Sequence, residues 1–332
     1  MARSIAAEWL RFSRQRVNQV ALLLLVLATF WHFWSDYRSA RSLDLLADQG
    51  ADLVRFQTMP SAEIKTLTEA DVWRWYRAGE LVLAVPNTFG LAYWIWAWAR
   101  ALWLLLAAIA VGGEFQWGTL RWRLSLGLGR WRWLLAKVSV LVLSALAATI
   151  LLWLVVAGAG LYVHRQVFGS LSWAWSTPEF WIGQAAVLLR AWIGFWPWIG
   201  LGILLGMVGQ STVPTAALGV LMLLLDWFWG SGLIMLAASQ SVSSTLPRWL
   251  LPDGPLGLLY RWTVGYNVAA ISFWAGLGTV PEPVPGLDRA AAILALRVIP
   301  TSPERALGVA LGFTLLTVGL AAWSLVQRDV TR

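Results

Sequence analysis

The sequence predicts an all-α integral membrane protein with six transmembrane helices. Three observations predict it. Hydrophobic residues make up 59% of the 332 residues and charged residues only 13%, against about 25% charged in soluble domains. Six separate apolar stretches are long enough to cross a bilayer. Cations outnumber anions beside the ends of the first three stretches. The chain has no cysteine, which removes disulfides, thiolate metal sites and cysteine nucleophiles.

A spanning helix needs roughly 20 mostly apolar residues for about 30 Å of hydrocarbon. Residues 17–34, 88–111, 138–163, 180–206, 213–236 and 305–326 qualify. The first could be mistaken for the apolar part of a signal peptide. However, Trp31, His32, Phe33 and Trp34 stand where a small-residue cleavage site would be needed, so it reads as a retained span. Residues 1–16, ahead of it, read as a basic amphipathic helix lying in the interface.

Six spans put both termini on one side. That side also holds residues 112–137 and the turn 207–212, and carries eleven cations against three anions, Glu8, Glu114 and Asp329. The opposite side carries twelve cations and thirteen anions. The basic excess in short segments near span ends places the termini in the cytoplasm, in a plasma membrane of prokaryotic inner-membrane type. The net charge of +8 is therefore an inner-leaflet signal and not a nucleic-acid footprint.

Residues 35–87 and 237–304 form the extracytoplasmic segments. Apolar residues at helical spacing predict amphipathic helices over 39–57 and 62–79, broken near Met59-Pro60. The second segment contains seven prolines between Pro247 and Pro300 and apolar pieces too short to span, which predicts re-entrant or surface-lying helices.

Residues 112–137 read GGEFQWGTLRWRLSLGLGRWRWLLAK. From Leu120 to Gly129 apolar and non-apolar residues alternate, which alone is a strand signal. At about 100° per residue the same residues give two apolar stripes, Trp117, Leu120, Leu124 and Leu128 on one side and Phe115, Trp122 and Leu126 on the other. A lone strand beside a membrane would leave both edges unpaired. A helix held between the bundle and a partner would bury both stripes, so a helix is predicted. Arg130, Trp131, Arg132 and Trp133 read as an interfacial collar before the third span.

Glu114, the run Gly118-Thr119-Leu120-Arg121, Arg130 after a Gly-rich turn and Lys137 at the foot of a span resemble the cytoplasmic signature of permeases of the type-2 ABC exporter family. Six spans with cytoplasmic termini and a preceding amphipathic helix are similar to that family as well. The resemblance implies a coupling helix between spans two and three, docked on an ATPase subunit. By the same resemblance Glu114, Gly118, Thr119, Leu120, Arg121, Arg123, Arg130 and Lys137 are the coupling residues. It further implies two permease subunits, as a homo- or heterodimer, on a pair of ATPase subunits. The chain has no GxxxxGK[ST] phosphate loop, so no cofactor is expected on it directly, and ATP and Mg2+ are expected on the partner.

Arg100, Arg190 and Asp226 fall inside spans two, four and five. At 1.5 Å per residue they stand about 18, 24 and 18 Å from the cytoplasmic ends. Ionised groups at such depth are costly unless paired or wetted, so the three read either as a structural clamp or as the wall of a wet pathway. Gly202 and Gly206 read as close helix packing. His32 and His164 lack further ligating residues nearby, so no metal site is expected. An ATP-driven permease is the leading reading. A membrane transferase on lipid-linked substrates and a non-transporting anchor subunit with a permease fold are the alternatives.

Overall fold

The computed structural model describes residues 2–42, 84–127, 129–168, 178–238, 259, 262–268, 271 and 302–327. Eight helices order them: α1 (Ala2–Arg14), α2 (Arg16–Ser42), α3 (Ala84–Gln116), α4 (Thr119–Ser125), α5 (Arg130–Phe168), α6 (Pro178–Gly209), α7 (Thr212–Ala238) and α8 (Pro303–Gln327). No strand occurs among the described residues. Four helices contain stretches long and apolar enough to cross a membrane, within α3, α5, α6 and α8. The apolar stretches within α2 and α7, residues 16–31 and 212–226, are shorter. Each of the six apolar stretches read from the sequence falls on one of these six long helices. The helices run past the apolar stretches at most ends, because a helix continues wherever its backbone hydrogen bonds stay favourable.

The helices assemble around α3 and α6, the most extensively packed pair. Small residues make this contact close. A Cβ on Gly202 would collide with the Leu104 carbonyl oxygen and lie 2.8 Å from the Ala107 Cβ, and one on Gly206 would lie 2.6 Å from the Val111 Cβ. The predicted GxxxG packing is thus the α3–α6 seam. Trp103 and Phe195 fill the same interface, with ring centroids 6.5 Å apart. Two indoles add polar ties without disturbing the helices: Trp192 Nε1 donates to the Val142 carbonyl at 2.7 Å and Trp153 Nε1 to Gln184 Oε1 at 3.0 Å.

One end of the bundle gathers the junctions. Gln15 separates α1 from α2, and the Asn18 and Gln19 side chains donate to the carbonyls of Phe12 and Ser13 that the break leaves open. Gln116 Oε1, at the end of α3, accepts from the Thr212 amide at 3.0 Å and from its hydroxyl at 2.6 Å. Arg130, at the start of α5, donates to the Leu325 and Val326 carbonyls at the end of α8, at 3.2 and 2.9 Å. A cation there meets the carbonyls that a helix C-terminus leaves unsatisfied. The junctions α1–α2, α3–α4–α5 and α6–α7 and the end of α8 therefore share one end.

The amphipathic helices predicted over 39–57 and 62–79 lie outside the described residues, apart from the last turn of α2. Most of 237–304 lies outside them too. Within 237–304, residues 264–268 are helical. Tyr266 and Ile271 pack on Ala306 and Ala310 of α8, and the Arg305 guanidinium sits 4.6 Å over the Trp262 ring.

Candidate functional site

The segment between α3 and α5 is helical, but not as one rod. Glu114 belongs to the last turn of α3, and the chain breaks at Trp117-Gly118 before α4 begins. Gly118 makes the break, at φ 65° in the left-handed region that costs an L side chain dearly and glycine little. The Thr119 hydroxyl donates to the Glu114 carbonyl across the bend. Gly127, at φ 85°, closes α4 in the same way.

α4 lies on the bundle end with two unlike faces. Leu120 is fully buried in the main core, and Phe115 and Leu124 pack against the same core. Trp117, Trp122 and Leu126 are 77%, 64% and 67% exposed, and Arg121 is exposed beside them. Of the two stripes read from the sequence, Leu120 and Leu124 face the core and Trp122 and Leu126 face outward, with Phe115 and Trp117 exchanged, while Leu128 lies outside the described residues. That exchange follows from the bend at Gly118, which rotates the end of α3 relative to α4.

Beneath α4 lies a buried ion cluster that ties four helices together, α4 included. Glu8 of α1 and Glu114 of α3 supply the carboxylates, both nearly inaccessible. Lys137 of α5 reaches both, ion-paired with Glu8 and 2.9 Å from Glu114 Oε1. Arg123 of α4 also reaches both, at 2.8 Å from Glu8 Oε2 and 3.4 Å from Glu114 Oε1. Arg11 of α1 pairs with Glu114. The other Glu114 oxygen, Oε2, accepts from Trp133 Nε1 at 2.6 Å. Every oxygen of the two carboxylates is therefore met by a donor.

Burial raises the Glu8 carboxyl, but the charge and hydrogen bond of Lys137, followed by those of Arg123, outweigh it. The net result is a pKa below the ordinary carboxylate value. For Arg123 burial works against the charge, and Glu8 and Glu114 more than restore it. Glu8 and Arg123 are thus charged at neutral pH, and the cluster brings three basic side chains to two carboxylates.

The coupling residues read from the sequence divide by location. Glu114, Arg123 and Lys137 meet in the cluster, Leu120 anchors α4, Gly118 and Thr119 shape the bend, and Arg121 stays on the outer face. Arg130 is elsewhere, holding the end of α8. Trp133 is not part of an interfacial collar: it is 1% exposed because its indole N–H is drawn inward by Glu114, whereas Trp131 is exposed. Glu8, Arg11 and Trp133 were not singled out as site residues from the sequence. Their signal is that Glu8 and Glu114 are the lone acids in two otherwise basic segments.

The intramembrane charges form separate contacts. Asp226 accepts a hydrogen bond from the Gly265 backbone and lies in the field of Arg100. Gly265 sits so close to the Asp226 carboxylate that a Cβ there would overlap it. Arg190 lies in the field of Glu304 at the start of α8. Among the described residues no group of three His, Cys, Asp or Glu could hold a metal ion. No protein-family model matches the chain, and no curated protein matches it.

Proposed function

We propose that the chain is the permease subunit of an ATP-driven transporter, energised by a separate ATPase that docks on the outer face of α4. The observation that carries this reading is the two-faced geometry of α4. Its inner face is fastened to the bundle through Leu120 and a fully satisfied ion cluster, while its outer face presents Trp117, Arg121, Trp122 and Leu126. A helix fastened in this way transmits force, because a push on it is carried into α1, α3 and α5 together. Large exposed aromatics flanked by an arginine are also what anchors protein–protein contacts. ATP-driven closure of two such partners would shift a permease pair between two packings, with ATP and Mg2+ held by the partner.

The termini and α4 are assigned to the cytoplasmic side by the basic excess at that end. The pairing of two permease subunits and the direction of transport, export, follow the family resemblance. The test uses the full chain co-expressed with a P-loop ATPase encoded beside it and reconstituted in liposomes. Trp117→Glu with Trp122→Glu abolishes co-purification and permease-stimulated ATP hydrolysis while the purified chain keeps its thermal midpoint. Unchanged co-purification and stimulation would overturn the reading.

A further inference from the structure

α1, α4 and the first turns of α5 enclose an open groove of about 370 Å3 beside the ion cluster. Arg3, Ser4 and Ala7 of α1 and Arg123 and Leu126 of α4 line it, over a floor of the buried Trp133 and Ala136 of α5. Glu8 also lines it, but both Glu8 oxygens are taken, one by Lys137 and one by Arg123. The cluster already holds one cation more than its carboxylates neutralise. Arg3 adds a second and pairs with no carboxylate among the described residues. A groove that sets the surplus positive charge of Arg3 and Arg123 beside the exposed alkyl groups of Ala7 and Leu126 suits a ligand with an anionic head and an apolar body.

From this charge balance we infer that the groove binds an anionic phospholipid, its phosphate at Arg3 and the exposed edge of Arg123, its glycerol and upper acyl chain along Ala7 and Leu126. A free phosphate ion would use only Arg3, Ser4 and Arg123 and leave Ala7 and Leu126 uncovered. Basic pockets at the foot of apolar helices recognise lipid headgroups in this way, each added cation strengthening attraction to anionic lipid. The inference depends on the chain being a membrane protein and not on any ATPase docking at α4.

The test is native mass spectrometry of the full chain purified in detergent, with phosphatidylglycerol, phosphatidylcholine or inorganic phosphate added. The wild-type chain retains phosphatidylglycerol over phosphatidylcholine by about fivefold or more, the factor corresponding to ~1 kcal/mol per cation. Arg3→Gln removes about fivefold of that preference, and Ala7→Glu, which sets a carboxylate in the groove, removes at least as much. Arg14→Gln changes a cation on the same helix outside the groove and leaves the preference intact. Arg3, Ala7 and Arg14 are all exposed, so the variants fold, and unchanged thermal midpoints verify this. Three results would overturn the inference. The wild-type chain could hold both lipids equally. Arg14→Gln could weaken binding as much as Arg3→Gln, which would mean diffuse attraction. Millimolar inorganic phosphate could displace the lipid, which would mean an ion site.

Discussion

Replacing Glu114 by glutamine should damage the molecule far more than replacing Lys137 by methionine, although the two side chains touch. Glu114 is 1% exposed and Lys137 nearly as buried, with Nζ 2.9 Å from Oε1. At an effective dielectric of about 20 that pair attracts by about 6 kcal/mol gross, much of it offset by desolvation. The charge count decides what remains. Glu114→Gln leaves Arg11, Arg123 and Lys137 facing Glu8 alone, so buried positive charge goes uncompensated, at about 3–5 kcal/mol. Arg11 is one-third exposed, so water screens it and its share of the penalty is small. Lys137→Met leaves two arginines against two carboxylates, and its cost is that of Glu8 Oε1 left without its donor, about 1–3 kcal/mol. The double variant is balanced better than Glu114→Gln alone and recovers part of its loss. Thermal unfolding followed by the intrinsic fluorescence of the 26 tryptophans reads the order of midpoints. Lys137→Met equal to or worse than Glu114→Gln, or a double variant that is merely additive, would refute the reasoning.

Three further outcomes follow from the packing and the charges. Gly202→Val lowers the unfolding midpoint through overpacking of about 1–3 kcal/mol or more against Leu104 and Ala107, whereas Gly308→Ala, where an added Cβ meets nothing within 4 Å, stabilises α8 by up to about 1 kcal/mol. Arg130→Ala frees the Leu325 and Val326 carbonyls, and hydrogen exchange at the end of α8 rises while that of α6 stays unchanged. Because the Glu8 pKa is lower when α1 is docked than when it is free, docking is fully favoured above the ordinary value of 4.5 and weakens as pH falls through the lowered one. Exchange protection of residues 2–14, corrected for intrinsic rates, therefore stays flat through about pH 6 and drops only in acid; a loss already at neutral pH would contradict a charged Glu8.

The long helices were legible because continuous apolar stretches of this length admit few other structures, and the bend at Gly118 lay within the stretch that the sequence singled out. The alternation from Leu120 to Gly129 spoke for a strand, yet a seven-residue helix and a glycine turn occupy it. Burying Leu120 beneath a helix outweighed a period-two pattern that had no neighbouring strand to pair with. The ion cluster was not legible. Arg123 finds Glu8 across 115 positions and Lys137 finds it across 129, and no local spacing encodes a partner that distant. Trp133 was misread for the same reason. Its neighbours suggested a headgroup belt, and only the placement of Glu114 at the end of α3 turns its indole inward. That Asp226 lies in the field of Arg100 was within reach of depth counting, but the approach of Gly265 was not, since it belongs to a segment whose apolar pieces are too short to span.

The cysteine-free chain makes the central claim directly measurable through a single Trp122→Cys substitution on the outer face of α4. With a membrane-impermeant maleimide, the account predicts no labelling in intact cells and rapid labelling in inside-out vesicles. It also predicts that a bound ATPase subunit slows that labelling at least tenfold. Labelling in intact cells would put α4 on the wrong side of the membrane, and undiminished labelling with the ATPase bound would remove α4 from the contact.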